Sequence, residues 1–387
     1  VKAKQKALCR RLANSLHASV GCPTGAAAVL AALLLKGTGT SLFDAACIAG
    51  STPGQTRSGM SYLISRGAAA HQRRTRASAK RKPVRRLKRQ LLGLREAYST
   101  GGVRAIRETH TRYVESAGHY RALTKMVERF CPLERVLDTG VALDERVRLD
   151  GLPFASCDLL SRLPDAWEIH LPPTGRAELR DAPLVVFGNH PSMLTPFLLA
   201  AALEREDMRI LAHRYVVTLM PAMAPYILPI EPTYGIGVGE KARTGAAHAL
   251  TLSALGWLER RPSAEEARET NRRSLEQAAL HVRDGGAVVI FPDGGRDGGP
   301  WFPGLGRLMA GLSDSDARLV PACESSCTNR RIYEVLKGRR GSTQASRPIR
   351  LDVGEPVPLR RLGLPEDASE DERVGLARTL FEAWRPT

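Results

Sequence analysis

From about Val147 onward the chain alternates short apolar runs with longer amphipathic stretches, and this alternation restricts its possible folds more than any other feature. The apolar runs are 167–171, 184–187, 209–211, 287–291, 319–321 and 349–353. Runs of that length suit strands, and intervening stretches such as 271–283 have helical spacing. This order predicts an α/β fold with a mixed, mostly parallel sheet flanked by helices. No repeat at a solenoid period competes with that reading.

Charge separates the rest of the chain from this region. Of the 387 residues, the first 94 carry 18 Lys and Arg against a single acid, Asp44, which accounts for the whole formal charge of +17. Everything after Leu94 balances basic and acidic side chains. We therefore expect three parts: a basic module over 1–94, a helical connector over 95–148 and the α/β domain over 149–387. The connector is expected to be helical because Leu94, Val103, Ile106, Tyr113, Val114, Tyr120, Leu123 and Val127 recur at helical spacing. A module this basic calls for a polyanionic partner, either nucleic acid or an anionic membrane surface.

Two readings of the module stay open. Residues 41–67 run as an apolar helix, a turn at Gly50-Ser51 and a second helix headed by Pro53, with Met60 and Leu63 inward. That order resembles the helix-turn-helix of winged-helix regulators, which implies Arg57 and Ser61 facing DNA and the Arg-rich run 73–89 on phosphates. Gly54 and Gly59 each weaken such a recognition helix by roughly 1 kcal/mol. The alternative is a small all-helical module whose basic tail rests on anionic lipid, each Lys or Arg adding about 1 kcal/mol. An organelle transit peptide also fits a stretch rich in Arg and Ser and poor in acids.

The longest continuous apolar run, 26–35, is about half of what a bilayer span requires, so no transmembrane helix is expected. Seven cysteines at 9, 22, 47, 131, 157, 323 and 327 form no paired framework. They read as reduced thiols of a cytoplasmic protein, peripheral to a membrane if the basic module binds lipid. Cys323 and Cys327 lack a second ligand pair nearby, so no metal is expected.

Two constellations carry chemistry. Residues 184–199 read as an apolar strand, a polar break at Asn189-His190-Pro191-Ser192 and an apolar helix. His190 thus stands at a strand exit, where a neutral imidazole can take a proton from a hydroxyl, although a lone histidine there can equally cap the helix. About a hundred residues on, strand 287–291 empties into a glycine-rich loop with Asp293, Gly294, Gly295 and Arg296. Such loops let backbone N–H groups and a guanidinium approach a phosphate.

The ordered pair, Asn189-His190-Pro-Ser192-Met-Leu-Thr195-Pro196 and then Phe291-Pro292-Asp293-Gly294-Gly295-Arg296, resembles the lysophospholipid and glycerol-phosphate acyltransferase superfamily. The blocks of that family usually read N-H-x-S-x-x-D-P and F-P-E-G-T/G-R-S. The likeness continues through the amphipathic stretch 272–283, Gly304-Leu-Gly306, the run 319–321 and Val353-Gly-Glu-Pro356, about half of the chain. It implies an acyl group passing from acyl-CoA or acyl-carrier protein to a hydroxyl of a phosphate-bearing lipid acceptor, with no cofactor beyond the thioester. It further implies His190 as base, and Arg296 with Gly294 and Gly295 on the acceptor phosphate. Asn189 and Ser192 would bind substrate, and Asp293 stands where the family has Glu. The uncharged stretch 215–230, with prolines at 221, 225 and 229, is an apolar acyl-chain groove, a membrane-touching surface or ordinary packing under loops.

One position departs from the pattern. The fifth residue after His190 is Thr195 rather than an acid, and a hydroxyl cannot offset the charge of an imidazolium. In a serine protease triad the equivalent loss costs on the order of 10⁴ in turnover. Another carboxylate such as Asp293 or Glu231 replaces it, or the acceptor is more reactive than an alcohol, or the domain binds lipid without turnover. In the last case the chain reads as a DNA-binding regulator whose acyltransferase-like domain senses acyl thioesters or lysolipids.

Overall fold

A computed structural model describes residues 81–116, 119–128, 132–163, 167–173, 176–231, 262–294, 300–336, 347–365 and 367–386. The helix-turn-helix reading of 41–67, with Arg57 and Ser61, lies outside the described residues, and so do Gly295 and Arg296. Of the described residues, 81–100, 108–116 and 119–128 belong to one compact unit, and 101–107 together with those from 132 to 231 and from 262 onward to another.

The first unit takes most of helix α1 (Arg81–Glu115) and helix α2 (His119–Glu128). The Arg-rich segment from Arg81 to Arg89 is thus the opening of α1. Inside the unit, His110 Nδ1 lies 2.7 Å from the Tyr120 hydroxyl, and Tyr113 meets the Tyr120 ring edge-on. Burial raises the Tyr120 phenol well above its ordinary range.

The second unit is an α/β sandwich. Its strands are β1 (Trp167–His170), β2 (Leu184–Gly188), β3 (Arg209–His213), β4 (Ile227–Ile230), β5 (Ala287–Ile290), β6 (Arg318–Ser325), β7 (Ile349–Val353) and β8 (Val357–Pro358). They form an eight-stranded sheet in the order β1-β7-β6-β2-β5-β3-β4, with β8 on the first residues of β6. Strands β6, β2, β5, β3 and β4 run parallel, and β7 turns antiparallel against β6. All six expected strands are present; β3 and β6 are longer than their apolar runs.

The helices are α3 (Leu133–Arg162), α4 (Arg176–Asp181), α5 (Thr195–Leu203), α6 (Tyr215–Leu219), α7 (Ala264–Arg283), α8 (Gly304–Ala310), α9 (Asn329–Leu336) and α10 (Glu370–Trp384). α3 bends at Gly151, whose φ is 81°, two residues ahead of Pro153. α7 starts with a capping box in which Glu266 N donates to Ser263 Oγ at 3.1 Å and Ser263 N to Glu266 Oε2 at 2.7 Å.

Strand alternation divides the sheet between two cores. Leu184 and Val186 of β2, Ala287 and Val289 of β5 and Val320 and Ala322 of β6 face one, under α3, α5 and α9. Val185, Phe187, Val288, Ile290, Leu319 and Cys323 face the other, under α7, α8 and α10. Central strands buried on both faces explain why their sequences read as continuous apolar runs. Each fully buried aliphatic or aromatic side chain here contributes about 1.5–3 kcal/mol.

The amino ends of the central strands are tied together by one buried guanidinium. Arg205 donates to Ala182 O, ahead of β2, and to Gly285 O, ahead of β5, while pairing with Asp207 ahead of β3. At the carboxyl ends β2 and β6 approach closely: a Cβ on Gly188 would lie 1.8 Å from Ala322 O. Glycine at that position is therefore a steric requirement.

Sequence reading left the stretch 215–230 as groove, membrane-touching surface or packing. It forms α6, a 3-10 turn over Pro221–Tyr226 and β4, with Met223, Ile227 and Leu228 buried in the cores. Pro229 fits within β4 because this is the outermost strand, beside β3, where a missing N–H on the open edge costs no ladder bond. Among the described residues no helix is long and apolar enough to cross a membrane.

Candidate active site

The chain leaves β2 for α5 on one face of the sheet and leaves the neighbouring β5 for α8 on the other face. Adjacent parallel strands whose connections part in this way open a crevice at their carboxyl ends, where open α/β sheets bind ligands. Asn189-His190 follows β2 there and Phe291-Pro292-Asp293 follows β5. The two sequence blocks, a hundred residues apart, are brought face to face: the His190 ring stacks on Phe291 with centroids 4.5 Å apart and planes 19° from parallel.

The turn from Asn189 to Thr195 is anchored to β6 by a polar network. Asn189 Nδ2 donates to Glu324 O at 2.8 Å, and Glu324 N donates back to Asn189 Oδ1 at 2.8 Å. The Ser192 hydroxyl donates to Glu324 Oε1 at 2.8 Å, and Met193 N donates to Asn329 Oδ1 at 2.7 Å. Thr195 Oγ1, on the position where the resembling family carries its acid, meets Glu324 Oε2 in a very short contact. It also reaches Ser192 O at 2.8 Å. Glu324, Ser192 and Thr195 are 2%, 1% and 1% exposed, so these contacts are buried.

Counting protons shows how the network is satisfied. Thr195 has one hydroxyl proton and two oxygen neighbours, so both contacts are hydrogen bonds only if the Glu324 carboxyl supplies the other proton. Burial favours that state, pushing the Glu324 carboxyl up to about 7 against the lowering pull of the Thr195 and Ser192 hydroxyls. Near neutral pH the carboxyl then holds or gives up its proton with small changes in its surroundings.

Glu324 was missed in the sequence reading, although a signal existed. It continues the alternation of Val320 and Ala322 on the strand face that packs under α5, so an inward-facing acid is encoded in the run. Asp293 is buried just beyond β5. Gly294 follows it in a left-handed conformation, φ 61°, where a Cβ would stand 2.9 Å from the Phe302 ring. The Phe302 N–H donates to Pro292 O at 2.8 Å, closing the loop onto its own start. Glu231, the other acid considered for Thr195's missing charge, lies beyond β4 with Arg214 at 3.0 Å and His213 at 3.4 Å. Burial, then the Arg214 charge, lowers the His213 imidazole to about 4.

Cys323 and Cys327 point into opposite cores. Among the described residues no group of three or more His, Cys, Asp or Glu side chains is placed to hold a metal ion.

On the β6 side of the turn a cavity of about 550 Å³ opens. Asn189 and Pro191 form one wall, residues 324–328 another, and Arg331, Arg347 and Arg385 reach its lining. Fold and geometry together define an α/β protein with a crevice at a sheet switch point. No protein-family model matches the chain, and no curated protein aligns with it significantly.

Proposed function

We propose that the α/β unit is an acyltransferase that moves a fatty acyl group from acyl-CoA or acyl-carrier protein to a hydroxyl of a glycerol-phosphate or lysophospholipid-type acceptor. The observation that carries this reading is the stacking of His190 on Phe291, which joins the two resembling blocks at a strand-end crevice. In the reaction, His190 takes the proton of the acceptor hydroxyl as its oxygen bonds to the thioester carbonyl carbon. The tetrahedral intermediate collapses by breaking the carbon–sulfur bond, and the thiolate leaves with the proton held by His190. Arg296 with Gly294 and Gly295 binds the acceptor phosphate, and Asp293 lines the loop. Glu324 is a positioning residue, acting on the histidine turn through Ser192 and Thr195.

The test is acyl transfer from radiolabelled acyl-CoA and acyl-carrier protein to glycerol 3-phosphate and lysophospholipids. His190→Ala is expected to lower transfer by about 10²–10⁴-fold, the usual contribution of a general base. Equal product from wild type and variant would refute the assignment of His190.

A second reading is favoured by the commitment of Thr195 to Glu324 and to a backbone carbonyl. In it the domain binds acyl thioesters or lysolipids without turnover and the basic region 1–94 binds DNA. Tight acyl-thioester binding without product from any pair would select it. Under the first reading the same basic region attaches a cytoplasmic enzyme to an anionic membrane.

A further inference from the structure

The cavity beside β6 lies across the Asn189–Pro191 turn from Phe291, and it differs in character from the crevice. Its cations come from three separate segments: Arg331 from α9, Arg347 ahead of β7 and Arg385 after α10. Arg331 is oriented by two backbone carbonyls, donating to Ser326 O at 2.6 Å and to Arg347 O at 2.8 Å. The side chains of Arg347 and Arg385 are exposed, and neither has a carboxylate partner among the described residues. Exposed arginines nearby are paired, Arg360 with Asp316 and Arg378 with Glu382.

Among the described lining residues the one acid, Glu324, turns its carboxyl toward Ser192 and Thr195. The charges of Arg347 and Arg385 are thus left without a counter-charge among the described residues. Ser326, in the wall, adopts a left-handed φ of 63°, uncommon for a non-glycine residue. The volume suits part of a small-molecule ligand.

We propose that this cavity binds a phosphate ester, held by the guanidiniums of Arg331, Arg347 and Arg385 and the hydroxyls of Ser325 and Thr328. Arginine is the residue type suited to this, since its planar fork matches phosphate oxygens. The site lies beside the His190 turn, on its β6 side. The phosphate belongs either to the acceptor or to the coenzyme A or phosphopantetheine arm of the donor. The inference deepens the acyl-transfer reading and rests on it only for which of these is the source.

Titration calorimetry on the full chain at low salt, with inorganic phosphate, glycerol 3-phosphate and coenzyme A, tests it. The double variant Arg347→Gln/Arg385→Gln is expected to weaken binding about tenfold or more. The control Arg360→Gln/Arg378→Gln removes the same charge elsewhere and is expected to stay within about twofold. Loss confined to coenzyme A identifies the donor, and loss confined to glycerol 3-phosphate identifies the acceptor. No binding by the wild type, or equal affinities for the two double variants, overturns the proposal. Arginine-dependent binding in a protein that transfers no acyl group would keep this site and remove the acyltransferase reading.

Discussion

At the residue scale, the network around Thr195 joins a buried hydroxyl to a carboxyl from another strand. The carboxyl that meets it is Glu324, 129 residues further on. Because burial holds this carboxyl at about 7, the folded protein keeps a proton that the unfolded chain loses near pH 4.5. Stability therefore falls as pH rises from about 4.5 to about 7, by up to about 1.4 kcal/mol per pH unit, and levels off above that. Glu324→Gln reproduces the protonated shape and removes the titration. Melting temperatures measured from pH 4.5 to 8 should show the variant gaining on the wild type up to pH 7 and running parallel beyond. Curves that stay parallel throughout would show that the carboxyl does not titrate in this window.

At the element scale, much of the fold was legible because central strands buried on two faces leave an unbroken apolar signature, as 184–187 and 287–291 do. The mixed sheet with helices on both faces follows from their spacing. Strand β4 was not legible: prolines at 225 and 229 look like loop punctuation, and only an edge position makes them acceptable. In the site, His190 and the loop after β5 announced themselves by local pattern. Glu324 and the three arginines did not, because they stand on separate segments: the antiparallel return of β7 brings Arg347 to the end of β6, Arg331 is on α9 and Arg385 follows α10. A capping box of Ser263 and Glu266 opens α7 at Ala264, seven residues ahead of the expected stretch 271–283, a local signal that the sequence reading left unused. Ser263→Ala is expected to cost about 1 kcal/mol, read as a lower denaturation midpoint with an unchanged slope.

At the scale of the whole molecule, the partition of charge predicts behaviour that the α/β unit alone would not show. The surplus of 17 positive charges resides in residues 1–94, so binding to polyanions should be strong and salt-sensitive. Sedimentation of the full chain with phosphatidylserine-containing vesicles, beside gel shifts with duplex DNA, separates the two readings of that region. Retention on vesicles that fades between about 50 and 500 mM salt, with DNA binding absent, is expected for the membrane-attached enzyme. The opposite pattern would favour the regulator.

The Arg205 clamp gives the α/β unit a mechanical asymmetry. One buried side chain stitches together the segments ahead of β2, β3 and β5, while the loops that hold His190, Phe291 and Glu324 occupy the opposite rim. Strands β2 and β5 are also hydrogen-bonded to each other over four residue pairs, from Leu184 and Ala287 to Phe187 and Ile290. A ligand in the crevice therefore meets loops that spring from a fixed base, and any adjustment to it falls to those loops.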